Sequence, residues 1–268
     1  YNLKTITMKV FEEAAIKVVA GPEKKSAVVT DRDRKITAYH EAGHAIVSRF
    51  VPLSDPVQMI TIVPRGRAGG FTAYTQDEDS QYMTVNAMKS RLAMMLGGRS
   101  AELIIFEDFT TGASNDIERA TKLARSMVTT YGMSSKIGPI NYDMGEEETF
   151  LGRDFGKGRS YSEDIAKLID GEVKDLLDEA YATAQRVLSE NVEFLHIIAK
   201  RLLEVETISG KEFETMYKKY MGIEEEKEEV VEETVAEKKD SIDEISSTAE
   251  TTEETKEEAT DVEKTETE

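Results

Sequence analysis

The chain has 268 residues, contains no cysteine and carries a formal net charge of −19 at pH 7. Most of this charge belongs to the C-terminal end, where residues 223–268 include 20 acidic and 5 basic side chains. The composition excludes a disulfide framework and a thiolate metal site, and there is no basic patch that would indicate nucleic-acid binding.

The first segment predicts a helix and a linker. Apolar residues recur at helical spacing between Met8 and Ala20, and Gly21-Pro22 provides a stop signal. The polar residues Glu23–Ser26 follow as a linker. No apolar run approaches the roughly 18 residues that a membrane-spanning helix needs.

An H-E-x-x-H motif lies in the next predicted helix, which has Thr30 as its N-cap. His40 and His44 are four residues apart, so both imidazoles lie on one helix face and can bind one metal ion. Glu41 lies beside them and can take a proton from water. Gly43 destabilises a helix by about 1 kcal/mol relative to alanine, which indicates close approach of another backbone, a substrate or the metal site. The alternative is a pair of core histidines.

A β-hairpin is predicted after this helix. Val57–Val63 is rich in β-branched residues, Pro64–Gly70 supplies turn residues, and Phe71–Tyr74 is a second extended run. An edge strand beside a metal-binding helix can hold an extended peptide through its main chain. The alternative is an ordinary structural hairpin.

A long helix is predicted from Met83 to Phe106, in which Gly97-Gly98 permits close packing against another helix. Glu102 lies on the inward stripe of this helix. It can therefore accept a hydrogen bond from a metal-binding histidine. The alternatives are a partly exposed glutamate at the helix end and an ion pair with Arg99.

Asp116 begins another predicted helix, Asp116–Tyr131, and shares a face with apolar residues. The helix dipole favours an acid in the first turn, but an acid that faces an apolar surface needs a compensating charge, which zinc would supply. The third histidine, His196, lies in the apolar helical run Val192–Leu203, and we predict that it packs in the core.

The rest of the chain is predicted to be helical as far as residue 221. Helical periodicity covers Ser162–Glu190 and Val192–Val205, and a short last helix begins at Ser209-Gly210. Beyond Gly222 the composition cannot bury enough apolar area to offset the entropy of ordering, so this tail is predicted to be disordered.

Several linked motifs occur in one order along the chain. They are A-Y-H-E-A-G-H at 38–44, T-I-V-P-R-G-R at 61–67, G-G-R-S-A-E at 97–102, T-T-G-A-S-N-D at 110–116 and Y-G-M-S at 131–134. Together they resemble the peptidase domain of the FtsH family of ATP-dependent, membrane-anchored zinc proteases. The resemblance covers roughly residues 11–217.

The resemblance implies one Zn²⁺ per chain, held by His40, His44 and Asp116, with Glu41 as the general base. It also implies a carboxylate beside the metal site, at the position of Glu102. The substrate-binding edge strand of the family corresponds to Gly70, Phe71, Thr72, Ala73 and Tyr74.

The resemblance also implies a domain organisation. Residues 1–26 would be a docking helix and linker from an ATPase module outside the chain, residues 27–221 the zinc metallopeptidase domain, and residues 222–268 an acidic disordered tail. The expected fold is mainly α, with a small β-hairpin or short sheet at the active site. No G-x-x-x-x-G-K-[ST] phosphate loop occurs, so ATP is expected only for the module outside the chain.

The expected activity is zinc-dependent endopeptidase cleavage of unfolded or membrane proteins, by a water molecule that Glu41 activates on zinc. The family implies a homo-hexamer at the cytoplasmic face of a bacterial inner membrane or an equivalent organelle membrane, attached through N-terminal segments outside the chain. The alternative is a non-catalytic module in which zinc only joins the helices of an adaptor domain. Glu41 argues against that alternative, because a structural zinc site needs no base between its histidines.

Overall fold

A computed structural model describes residues 21–24, 29–66, 68–75, 82–143 and 161–223, together with residues 7, 10, 11, 14, 17 and 18. The chain forms a mainly helical fold with one small sheet, as predicted. Its elements are α1 (Asp31–Phe50), β1 (Val57–Thr61), β2 (Phe71–Tyr74), α2 (Val85–Met95), α3 (Gly97–Phe106), a 3₁₀ turn (Thr111–Ala113), α4 (Ser114–Thr129), α5 (Glu163–Glu190), α6 (Val192–Val205), β3 (Thr207–Ser209) and α7 (Gly210–Met221). The predicted acidic tail lies outside the described residues from residue 224 onward.

Helix α1 lies at the centre of the fold. The predicted N-cap is confirmed, because the Thr30 hydroxyl accepts a hydrogen bond from the backbone N–H of Asp33 at 3.1 Å. Every residue from Ala38 to Ser48 is buried. The helix packs against α3, α6 and the sheet, so the H-E-x-x-H motif lies in the interior.

The sheet has three antiparallel strands in the order β2-β1-β3. The predicted hairpin is confirmed, with Ile60 of β1 opposite Thr72 of β2. Strand β3 was not predicted; its Ile208 pairs with Ile60 from the other side. Among the described residues β2 pairs with β1 only, so it forms an edge of the sheet.

The close approach expected at Gly43 occurs against the backbone of α3. A Cβ atom at Gly43 would lie 2.6 Å from the carbonyl oxygen of Gly97, and one at Gly97 would lie 2.8 Å from the carbonyl oxygen of Gly43. Two glycines therefore allow α1 and α3 to pack backbone to backbone.

The prediction of one helix from Met83 to Phe106 is wrong. The helix divides at Leu96, where φ is −91° and ψ is 0°, and α3 begins at Gly97. This break turns the chain so that the two glycines at the start of α3 face α1. Helical periodicity continues across the break, which is why the pattern predicts a single helix.

The core position predicted for His196 is also wrong. Phe194, Leu195 and Ile198 occupy the buried face of α6, whereas His196 is exposed. Its Nδ1 lies 2.9 Å from the hydroxyl of the buried Tyr39 on α1. In the part of the chain that the structure describes, no helix is long and apolar enough to cross a membrane.

Candidate metal centre

Two helices bring three potential ligands together. His40 and His44 come from consecutive turns of α1, and Asp116 comes from the first turn of α4. The Nε2 atoms of the two histidines are 3.1 Å apart. Oδ2 of Asp116 lies 3.2 Å from Nε2 of His40 and 3.4 Å from Nε2 of His44. Among the described residues, this is the cluster whose donor atoms all lie within 4.8 Å of one another.

The second nitrogen of each histidine has its own acceptor. Nδ1 of His40 lies 2.7 Å from Oε1 of Glu102, and Nδ1 of His44 lies 2.8 Å from the carbonyl oxygen of Met94. A carbonyl oxygen and a carboxylate accept hydrogen bonds, so each Nδ1 carries a proton and each Nε2 faces the cluster, where it would offer its lone pair to a bound metal ion. Sequence reasoning missed Met94, because a backbone carbonyl leaves no signal in residue type.

Glu102 is 1% exposed, which excludes the partly exposed glutamate considered above. Its Oε2 accepts a hydrogen bond from the backbone N–H of Thr110 at 2.6 Å. Burial opposes ionisation of Glu102, but its hydrogen bonds with His40 and Thr110 hold its pKa below the usual value. Arg99 lies instead over the ring of Phe109, 3.8 Å from the ring centroid.

The beginning of α3 forms the wall behind His40. A Cβ atom on Gly98 would lie 2.5 Å from Cε1 and Nε2 of the His40 imidazole. No larger residue fits at this position unless the ring moves. Gly97 therefore allows α3 to pack closely on α1, and Gly98 leaves room for the His40 imidazole.

Two carboxylates affect the protonation of the His40 imidazole. Burial disfavours the charged imidazolium of His40, but hydrogen bonds to Asp116 and Glu102 outweigh burial and raise its pKa to about 10. Burial also opposes ionisation of Asp116, yet its hydrogen bonds to the two histidines hold its pKa far below the usual value. The two carboxylates therefore stabilise positive charge at His40, which is the sign of charge that a bound cation would supply.

Glu41 is 6% exposed and lies on α1 between the two histidines. Burial raises the pKa of its carboxyl group, although the nearby histidines lower it. The Thr72 hydroxyl of β2 lies 2.8 Å from Oε2 of Glu41. Sequence reasoning assigned Thr72 to the edge strand but missed this side-chain contact.

Strand β2 lies directly against this part of α1. A Cβ atom at Gly70 would lie 2.7 Å from a methyl group of Thr37 and 3.1 Å from Cγ of Glu41. The hydroxyl of Tyr74 is buried without a hydrogen-bond partner among the described residues, and burial raises its pKa well above the usual value. The structure thus brings the predicted edge strand to the predicted base.

The donor set fits zinc. Imidazole and carboxylate groups are ligands that Zn²⁺ prefers, and hydrogen bonds at Nδ1 hold both imidazoles with Nε2 facing the cluster. Three protein ligands with no fourth are typical of catalytic zinc, whereas a structural site has four.

Comparisons with known proteins agree with this geometry. The family model described as Peptidase family M41 matches residues 27–216. The chain is 50% identical over 216 residues to "ATP-dependent zinc metalloprotease FtsH 1" of Thermoanaerobacter sp. (strain X514), covering 81% of this chain and 35% of that protein. It is 49% identical over 210 residues to "ATP-dependent zinc metalloprotease FtsH" of Caldicellulosiruptor bescii, covering 78% of this chain and 34% of that protein.

A third relative is "ATP-dependent zinc metalloprotease FtsH 2" of Alkaliphilus metalliredigens, which is 48% identical over 216 residues, covering 81% of this chain and 31% of that protein. The chain thus spans about a third of the length of the curated relatives it matches. The family model covers well over half of the chain, from before the H-E-x-x-H helix to α7. The chain therefore belongs to peptidase family M41.

Proposed function

We propose that the chain is a zinc endopeptidase domain in which His40, His44 and Asp116 bind Zn²⁺ and Glu41 is the general base. The observation that carries this proposal is the convergence of two imidazole Nε2 atoms and one carboxylate beside a buried glutamate. Glu41 distinguishes the site from a structural zinc centre, because a metal that only joins helices needs no buried base.

The residues of the chain have separate roles in this proposal. When bound, zinc supplies Lewis-acid chemistry, which acidifies water and polarises a carbonyl oxygen. Glu41 removes a proton from the attacking water and later delivers it to the nitrogen of the leaving amine. Glu102 orients the His40 imidazole and keeps its proton on Nδ1.

The substrate polypeptide adds to Gly70 and β2, along the edge of the strand that pairs with no other strand among the described residues. Main-chain hydrogen bonds to an edge strand do not depend on side-chain identity, so this mode suits an extended, unfolded polypeptide. The strand approaches the Glu41 side chain so closely that a Cβ atom at Gly70 would lie 3.1 Å from its Cγ, and this supports the placement, because a peptide on β2 would pass close to the base.

The activity of the whole protein is part of the same proposal. The relatives are named ATP-dependent proteases, and no phosphate-loop motif occurs in this chain. We therefore assign ATP hydrolysis to a module outside the chain. Assembly as a homo-hexamer and action at the cytoplasmic face of a membrane, on unfolded or membrane proteins, rest on the family resemblance.

Cleavage of an intrinsically unfolded protein by the zinc-loaded chain, without ATP, tests the proposal. The chain should release peptides, and Glu41→Gln should abolish release while zinc content and the melting temperature stay unchanged. Asp116→Ala should lose zinc as well as activity. Cleavage by Glu41→Gln at the wild-type rate would remove Glu41 as the base.

Absence of cleavage by both proteins, each with one zinc bound, would require the same comparison in the full-length protein with ATP. Failure of the full-length wild type to cleave would contradict the endopeptidase proposal and favour the adaptor interpretation.

A further inference from the structure

We propose that the Thr72 side chain is a positioning residue for the general base, holding the Glu41 carboxylate in its working orientation. This inference rests on the proposed function, because it gives Thr72 a role only if Glu41 acts as a base. It adds a second task to β2, whose proposed role in substrate binding involves its main chain alone.

The first support is the hydrogen bond itself. The Thr72 hydroxyl lies 2.8 Å from Oε2 of Glu41 and 3.2 Å from the Glu41 carbonyl oxygen. A hydroxyl has one proton to donate, and a carboxylate is the stronger acceptor at the shorter distance. Thr72 therefore donates to the side chain of Glu41.

The second support is the isolation of the Glu41 carboxylate. Within the described ranges, the hydrogen bond that reaches this carboxylate comes from Thr72, and it reaches Oε2. Oε1 is therefore left for the proton of the attacking water. A buried glutamate with three rotatable side-chain bonds needs such a contact to remain in one orientation.

The third support is the register of β2 against α1. Gly70, directly before β2, and Thr72 both face α1, since a Cβ atom at Gly70 would lie 3.1 Å from Cγ of Glu41 and the Thr72 hydroxyl lies 2.8 Å from its Oε2. The absence of a side chain at Gly70 allows the strand to approach Cγ of Glu41, which brings the Thr72 hydroxyl within bonding distance. Strand β2, which receives the substrate in this proposal, thus also orients the Glu41 carboxylate, so one strand aligns the substrate with the general base.

Two matched pairs of variants test the inference in the zinc-loaded chain with a short fluorogenic peptide. The first pair is the wild type and Thr72→Val, which replaces the hydroxyl with a methyl group of similar shape. The second pair is Thr72→Ser and Thr72→Ala, which differ only in the hydroxyl. A hydrogen bond to a charged group is worth about 10- to 100-fold in rate, so Thr72→Val and Thr72→Ala should lower kcat by that factor with KM unchanged. Thr72→Ser should remain within about threefold of the wild type in kcat.

Thr75→Val is the control, because Thr75 follows the same strand but its side chain is exposed. Its kcat should equal that of the wild type. A wild-type rate in Thr72→Val, or equal losses in Thr72→Ser and Thr72→Ala, would overturn the positioning role while leaving the proposed function intact. If the wild-type chain itself does not cleave the peptide, the same variants are compared in the full-length protein with ATP, and failure of that wild type to cleave would count against the proposed function.

A crystal structure of Thr72→Val provides a readout that does not depend on activity. The carboxylate of Glu41 should move or occupy several conformations, whereas His40 and His44 should stay in place. A Glu41 side chain in its wild-type orientation, at full occupancy, would contradict the inference even if activity fell. If Thr72→Val does not fold, the structures of Thr72→Ser and Thr72→Ala provide the same comparison.

Discussion

Gly98 faces the imidazole of His40 so closely that a Cβ atom at this position would lie 2.5 Å from the ring. Real Cβ atoms do not approach other heavy atoms to this distance, so any side chain here must displace the ring or the helix. The helix α3 is thereby part of the proposed metal centre, although Gly98 cannot itself bind a metal.

Gly98→Ala should weaken zinc binding by about 10-fold or more, because the ring of His40 must rotate away from Asp116. Overpacking should also destabilise the fold by about 1–3 kcal/mol. Isothermal titration with zinc and urea unfolding measure the two effects. Gly171→Ala on α5 is the matched control, since a Cβ atom there meets nothing within 4 Å and should leave zinc affinity unchanged. Equal zinc affinities in the two variants would contradict the close approach.

Glu102→Gln should lower zinc affinity by about 10- to 100-fold, which is the usual effect of losing a carboxylate that orients a metal-binding histidine. A glutamine cannot accept from both His40 and Thr110 as the carboxylate does, because one end of its amide is a donor. Competition with a chromogenic chelator measures the affinity. Glu107→Gln, at the exposed end of α3, should behave like the wild type. An unchanged affinity in Glu102→Gln would show that Glu102 does not orient His40.

Removal of zinc should lower the thermal stability of the chain, because the proposed ligands join α1 to α4. A ligand present at 1,000 times its dissociation constant stabilises the folded state by about 4 kcal/mol. Differential scanning calorimetry with and without a chelator should therefore give different melting temperatures for the wild type. Asp116→Ala should melt at the same temperature in both conditions. A chelator effect of wild-type size in that variant would mean that zinc binds elsewhere.

Glu172 should contribute stability that depends on pH. Its carboxylate pairs with Lys136 at 2.6 Å and accepts a hydrogen bond from the Ser134 hydroxyl at 2.5 Å. The contact with Lys136 has the larger effect and that with Ser134 the smaller, and together they hold the pKa of Glu172 below its usual value. A lowered pKa stabilises the fold above the unfolded-state pKa and loses that contribution as the pH falls through the folded-state pKa.

Glu172→Gln should therefore be less stable than the wild type by about 1 kcal/mol at pH 7, and the difference should disappear once the pH is below the lowered pKa of Glu172. Urea unfolding at both pH values measures it. Glu190→Gln is the control. It removes an ion pair with Arg186 in which the Glu190 side chain is 60% exposed, so it should have little effect on stability at either pH. A difference that persists at low pH would exclude the charge of Glu172 as its cause.

Much of the site could be predicted because its chemistry depends on local spacing. The four-residue separation of His40 and His44 fixes both side chains on one face of α1, and Gly43 indicates the close approach that Gly97 provides. Glu102 and Asp116 came from inward-facing positions on their helices and from the family resemblance. Neither of these arguments gives a distance between helices.

The features that were missed depend on contacts between distant segments. Strand β3 has only three residues, and Thr207–Ser209 become a strand because β1 offers a free edge beside them. The apolar run around His196 indicates a buried histidine, whereas its contact with the hydroxyl of Tyr39 spans 157 positions of sequence and no local pattern predicts it. The contact of Thr72 with Glu41 likewise requires the packing of β2 on α1, which no local pattern specifies.

The most direct test of the metal centre is anomalous diffraction at the zinc edge from crystals of the zinc-loaded chain. We predict one zinc per chain, bound by Nε2 of His40, Nε2 of His44 and a carboxylate oxygen of Asp116 at about 2.0–2.2 Å, with no fourth protein ligand. A zinc peak at any other position, or coordination of the ion by Glu41 or Glu102, would contradict the account of a catalytic centre with Glu41 as its base.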